Sequence, residues 1–220
     1  MTEAEWLMAN DPRPMLAFLK GKASDRKLRL FAAACCRRIW HLLTDERCQR
    51  TVEVAEQYAD GNGKLNELKD ACRMAFDAGM ECSGNDDMRA IACMMAVSND
   101  PHSAAVETIF YASSVPMGLG ECDDPEDVVR GPELKEQAVL SRDIFGNPFR
   151  SVSIDPSWLT STVVSLARHM YESRDFSAML ILADALQDAG SDNEEILNHC
   201  RQPGEHVRGC FVVDRLLGKE

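Results

Sequence analysis

The stretch "ASDRKLRLFAAACCRRIWHLL" (23–43) followed by "DERCQRTVEVAEQYAD" (45–60) decides the fold class. In the first, Leu28, Phe31, Ala32, Cys35, Ile39 and Leu42 recur at three-to-four spacing, the period of an amphipathic helix. Ser24 or Asp25 supplies a side-chain oxygen for the orphan amides at its start. The second stretch follows after a very short turn and stops at Gly61-Asn62-Gly63. Two antiparallel helices over 24–60 are therefore expected.

The same reading extends outward. Helices are predicted at 64–79, 86–98, 101–114 and 133–143, the third opened by Asp100-Pro101. "VPMGLGECDDPEDVVRGPE" (115–133) breaks the pattern with Gly, Pro and acidic residues, and predicts a long acidic loop. An extended linker runs through Asn147-Pro148 and Asp155-Pro156. Four further helices then follow: 157–172 with Leu159, Val163, Leu166, Ala167 and Met170 inward, one ended by Gly190, one capped by Asp192 with Glu195, and one beyond Pro203-Gly204. No hairpin of alternating strands is found. The expected class is all-α, about ten short helices packed as antiparallel hairpins. The expected parts are an N-terminal helical subdomain at 1–115, the acidic loop, helix and linker at 116–156, and a four-helix subdomain at 157–220, or one continuous domain.

Composition excludes several function classes. The chain has 220 residues, 45% hydrophobic and 27% charged, which suits a globular core. The start "MTEAEWLMANDPRPM" lacks the basic-then-apolar pattern of a signal peptide, and no apolar run reaches the roughly 20 residues a membrane helix needs. A cytoplasmic location without a membrane span is expected. Nine cysteines and eleven methionines fall mostly in helical patterns, where reduced thiols and thioethers act as core residues. The net charge of −12 disfavours direct nucleic-acid binding. It is unevenly placed: residues 1–50 carry ten Lys/Arg against six Asp/Glu, whereas 51–150 carry eight against nineteen.

Three readings of function follow. The first is a non-enzymatic protein-interaction module, an accessory or regulatory subunit of a larger bacterial assembly. Its contact residues would be the basic face Arg26, Lys27, Arg29, Arg37 and Arg38 and the acidic Asp123, Asp124, Glu126 and Asp127. The second is a metal-dependent or thiol hydrolase built on "ILNHCRQPGEHVRGCFVVD" (196–214). There His206 and Cys210, four apart on a predicted helix, share a face, and the Pro203-Gly204 turn brings Cys200 and His199 towards them. Such mixed N/S donors suit a structural zinc, with Cys200, His206, Cys210 and His199 as ligands. Against it, adjacent His199 and Cys200 point about 100° apart on a helix, and Phe211-Val212-Val213 marks Cys210 as buried. A packed turn with core cysteines and no cofactor is the preferred reading, with Arg208 and Asp214 meeting solvent or each other. The third is an acidic protein occupying a nucleic-acid-binding surface of a partner. No phosphate loop, serine elbow or metalloprotease motif is present, so no catalytic residue is assigned.

Both ends of the chain, "MTEAEWLMANDPRPMLAFLKGKASDRKLRLFAAACCRRIWHLL" and "RDIFGNPFRSVSIDPSWLTSTVVSLARHMYESRDFSAMLILADALQDAGSDNEEILNHCRQPGEHVRGCFVVDRLLGKE", resemble a lineage-expanded planctomycete-type family of helical proteins. "MLILADALQDAG" also resembles the short "ADWLEERG"-like helix of a repeat-companion domain, without its tryptophan. The resemblance implies a helical accessory or interaction domain and carries over no catalytic residue.

Overall fold

A computed structural model describes residues 1–81, 86–114 and 126–219, with side chains except those of 86–88 and 126–130. The described residues form α-helices and short 3-10 turns and no strand, so the all-α expectation holds. In order the helices are α1 (Glu3–Met8), α2 (Pro12–Leu19), α3 (Asp25–Arg38), α4 (Glu46–Ala59), α5 (Leu65–Glu81), α6 (Asp86–Ala96), α7 (Pro101–Ser114), α8 (Glu126–Phe145), α9 (Ser161–Ser173), α10 (Met179–Asp188), α11 (Glu194–Arg201) and α12 (Phe211–Leu216). The chain divides into two compact units, Met1–Ser141 and Arg142–Glu220, and the boundary falls inside α8. That differs from the boundaries at 115 and 156 that the loop and linker composition suggests.

Local chemistry sets the helix starts. Thr2 and Glu5 form a reciprocal capping box, and Ser24, Asp45 and Thr160 each accept an amide at the start of α3, α4 and α9. α11 starts one residue later than expected: Asn193, not Asp192, accepts from the Ile196 amide at 3.1 Å. α9 also starts later. Asp155 instead caps a 3-10 turn at Pro156–Trp158, which leaves Leu159 41% exposed rather than in the buried stripe. α8 begins at Glu126, well before the expected 133, with Pro132 inside it; the rest of the expected acidic loop, 115–125, lies outside the described residues.

In the first unit α3 is the central helix, packed against α4, α6 and α7. Its middle is buried on all sides, from Leu28 through Cys36, so the amphipathic stripe becomes a fully enclosed helix. Small side chains make this possible. Ala71, Ala75 and Ala78 recur along the inner side of α5, with Ala92 and Ala96 on α6 and Ala104, Ala105 and Ala112 on α7, all buried. Alanine facing alanine lets helix axes approach to the near end of the usual range of about 8–10 Å.

Enclosing a basic helix obliges its guanidiniums to find partners. Arg29, almost fully buried, donates to the carbonyls of Ala96 (3.4 Å), the last residue of α6, and of Ser98 (3.0 Å) just beyond it. Arg37 grips Glu56 of α4 with two parallel bonds of 3.1 and 2.9 Å, and Arg38 grips Glu133 of α8 at 2.8 and 3.0 Å. Arg26 pairs with Asp60 at 3.1 Å. Bidentate geometry and partial burial place these among the stronger ion pairs, and loss of one partner strands a carboxylate away from water. Arg37→Ala should therefore cost about 2–4 kcal/mol, whereas Arg50→Ala, whose pair with Glu53 is exposed, should stay within about 0.5 kcal/mol. Urea unfolding checks this: the midpoint falls for the first variant and not the second, with unchanged slope.

In the second unit α9, α10, α11 and α12 enclose one apolar core built from Val163, Met170, Leu182, Leu186, Ile196, Val212 and their neighbours. The extended segment before α9 is anchored by the Arg215 guanidinium donating to the Val152 carbonyl. α8 ends at Gly146 with φ +66°, where a Cβ would stand 3.0 Å from the Phe211 ring. Only glycine supplies both the left-handed turn and the space. Asp214, expected to meet solvent or Arg208, is buried away from solvent.

Candidate functional site

Asp143 lies in the last turn of α8, His199 in the last turn of α11, His206 in the irregular segment 202–210, and Cys210 at the N-cap of α12. Four separate pieces of the second unit thus bring one ligand-type atom each to a common point, all within 4.8 Å of one another. The Asp143 Oδ1 stands 2.6 Å from His206 Nδ1 and 3.1 Å from His199 Nε2, while Oδ2 accepts the Val207 amide at 3.0 Å. His199 Nε2 also lies 3.2 Å from Cys210 Sγ. The two imidazoles meet edge to face at 4.8 Å, and His199 packs on Phe211 at 4.4 Å.

The group is nearly closed to water. Side-chain exposure is 3% for Asp143, 9% for His206 and 14% for His199, and Cys210 is fully buried. Burial pushes the Asp143 carboxyl up, but its bonds to His199 and His206 outweigh that and hold it down to about 2. Burial, with Asp143 close by, drives the Cys210 thiol well above its ordinary range and Cys200 up to about 12.

Three of the four sequence-expected metal residues, His199, His206 and Cys210, come together. Cys200 does not: it turns into the apolar core, as the opposed directions of adjacent helical residues require. The expected reason for the convergence is corrected. His206 and Cys210 do not share a helical face, because 202–210 is not helical and α12 starts only at Phe211; the bend of the segment over Asp143, with Gly209 at φ +100°, brings them together. Asp143 is the residue that sequence reasoning missed. One signal was available: a carboxylate in the last turn of a helix meets the negative end of the helix dipole and calls for a compensating partner.

Among the expected contact residues, Arg26, Arg29, Arg37 and Arg38 are engaged inside the first unit as described, and Lys27 is half-buried. Glu126 and Asp127 fall in the first turn of α8, and Asp123 and Asp124 lie outside the described residues.

Chemically the cluster does not form a nucleophilic triad. Such a triad needs the nucleophile on one imidazole nitrogen and the orienting carboxylate on the other, whereas Cys210 and Asp143 both face Nε2 of His199. A buried thiol with a raised pKa is also not a thiolate. Comparison with family models, curated proteins and solved structures finds no match. One consequence is measurable by timed alkylation and peptide mapping. Cys200 and Cys210 should resist labelling of the folded chain and react fully in denaturant, while half-buried Cys72 labels early.

Proposed function

We propose that the chain is a non-enzymatic, cytoplasmic helical interaction module, an accessory or regulatory subunit of a larger bacterial assembly. The observation that supports this most is on α10. Its inner side carries Met179, Leu182, Ala183 and Leu186 into the core, yet Leu180 and Ile181 face outward, each 59% exposed. Two adjacent large aliphatic side chains next to the well-exposed Asp184 carboxylate form an apolar spot with a charged rim, the usual composition of a contact surface. Covering the exposed 59% of Leu180 and of Ile181 is worth roughly 1–2 kcal/mol each, enough to change an affinity by about one to two orders of magnitude. A second outward pair, Phe76 and Met80, stands one turn apart on α5 at 53% and 73% exposure.

The engagement of Arg26, Arg37 and Arg38 within the first unit moves the proposed surface from the basic face to these apolar pairs. The closed state of the Asp143 cluster and the neutral thiols weigh against the hydrolase reading.

Replacing Leu180 and Ile181 with Ser removes mostly exposed apolar surface and slightly weakens helix propensity, so stability should fall by no more than about 1 kcal/mol. The same variant should lose proteins that co-purify with the wild-type chain from its native host. An unchanged set of co-purifying proteins, with the variant folded, would overturn the assignment of this surface.

A further inference from the structure

We infer that Asp143, His199, His206 and Cys210 form a structural zinc site of the second unit. The donor set is two imidazole nitrogens, one carboxylate oxygen and one sulfur. Zinc takes these donors in a tetrahedral shell, while calcium and magnesium require oxygen throughout. With bonds of about 2.0–2.3 Å, the edges of such a tetrahedron measure about 3.3–3.8 Å. The separations of 3.1 Å (His199 Nε2 to Asp143 Oδ1) and 3.2 Å (His199 Nε2 to Cys210 Sγ) fall just short of that range, the 2.6 Å contact of His206 with Asp143 needs to open by under an ångström, and the widest separations, none above 4.8 Å, need to close by no more than about an ångström.

Hydrogen bonding alone accounts poorly for the cluster. His199 Nε2 carries at most one proton, yet faces an oxygen and a sulfur at nearly equal distance. Asp143 Oδ1 in turn is shared by both rings. Convergence of several atoms on a common centre is what a cation organises. His206 Nε2 is buried with no hydrogen-bond partner, so the ring is oriented through its Nδ1, the atom that faces the cluster.

Charge balance agrees. Binding of Zn²⁺ releases the Cys210 proton to solvent and forms a Zn–S bond. The two imidazoles give nitrogen lone pairs, with any proton on those nitrogens moving to the other ring nitrogen or to solvent. The carboxylate and the thiolate together carry −2, so the loaded site is neutral, as a buried group of charges must be. All four positions are protein atoms, which leaves no place for substrate and makes the role structural. The ion would join the end of α8, the end of α11, the 202–210 segment and the start of α12.

The test uses the full-length chain, reduced and stripped of metal, and titrated with Zn²⁺ and separately with Co²⁺. The expected results are one zinc per chain, a Tm that rises with free zinc, and a cobalt spectrum with tetrahedral visible bands and a thiolate charge-transfer band. Cys210→Ser should lose the charge-transfer band, and Cys200→Ser should keep it. If Cys210→Ser fails to fold, alkylation of the wild type in partly denaturing urea decides: zinc should slow the labelling of Cys210 relative to the stripped chain at the same urea concentration, and leave Cys72 unaffected. A folded, reduced wild-type chain that takes up no zinc, or a cobalt complex without a thiolate band, would overturn the inference, as would loss of the band in Cys200→Ser with retention in Cys210→Ser.

Discussion

The carboxylate of Asp143 is held almost wholly out of water, where a bare charge costs several kcal/mol unless its lone pairs are answered. The second unit answers them with two imidazoles and a backbone amide, drawn from α11 and from the irregular segment that follows it. That requirement fixes much else. The 202–210 segment is tied at its ends by backbone bonds from Gln202 to the Asn198 carbonyl and from Cys210 to the Val207 carbonyl, and its register between them follows from the Val207 amide and the His206 ring reaching the same carboxylate. α12 can then begin at Phe211, whose ring covers His199 and occupies the space left by Gly146. Zinc at the site proposed above would replace an arrangement of shared protons with four directed bonds, at the cost of sub-ångström shifts in the donors.

The first unit meets a related constraint differently. Its central helix is basic at both ends and enclosed along its middle, so cations and apolar groups compete for the same neighbours. Alanine-rich partners supply close approach, and the guanidiniums of Arg26, Arg37 and Arg38 reach carboxylates on other segments of the same unit. The excess of positive charge in residues 1–50 is in this way partly matched by acids from the middle of the chain, which is why the surface proposed for a partner is apolar rather than basic.

The helical class was legible because it rests on local signals: three-to-four spacing, capping oxygens at Ser24 and at Asp100 before Pro101, and glycine after α10. The misplaced details share a cause, since each depends on contacts distant in sequence. Arg29 reads as a solvated residue until Ala96 and Ser98 are seen beside it. Leu159 reads as core until Asp155 starts a 3-10 turn ahead of α9. The candidate site was partly legible, because His199, His206 and Cys210 lie close together in the chain. Its organising residue was not, because more than fifty positions separate Asp143 from them, and only its unfavourable place at a helix C-terminus hinted at a partner.

The central claim is that four segments of the second unit are arranged around a single cation through Asp143. X-ray absorption at the zinc edge of the zinc-loaded full-length chain tests it most directly, because it reports the atoms bound to the metal. The account predicts a four-coordinate shell with one sulfur at about 2.3 Å and nitrogen and oxygen neighbours at about 2.0–2.2 Å, with the outer-shell scattering of two imidazoles. A shell with no sulfur, with two sulfurs, or with six oxygen-type neighbours would contradict it.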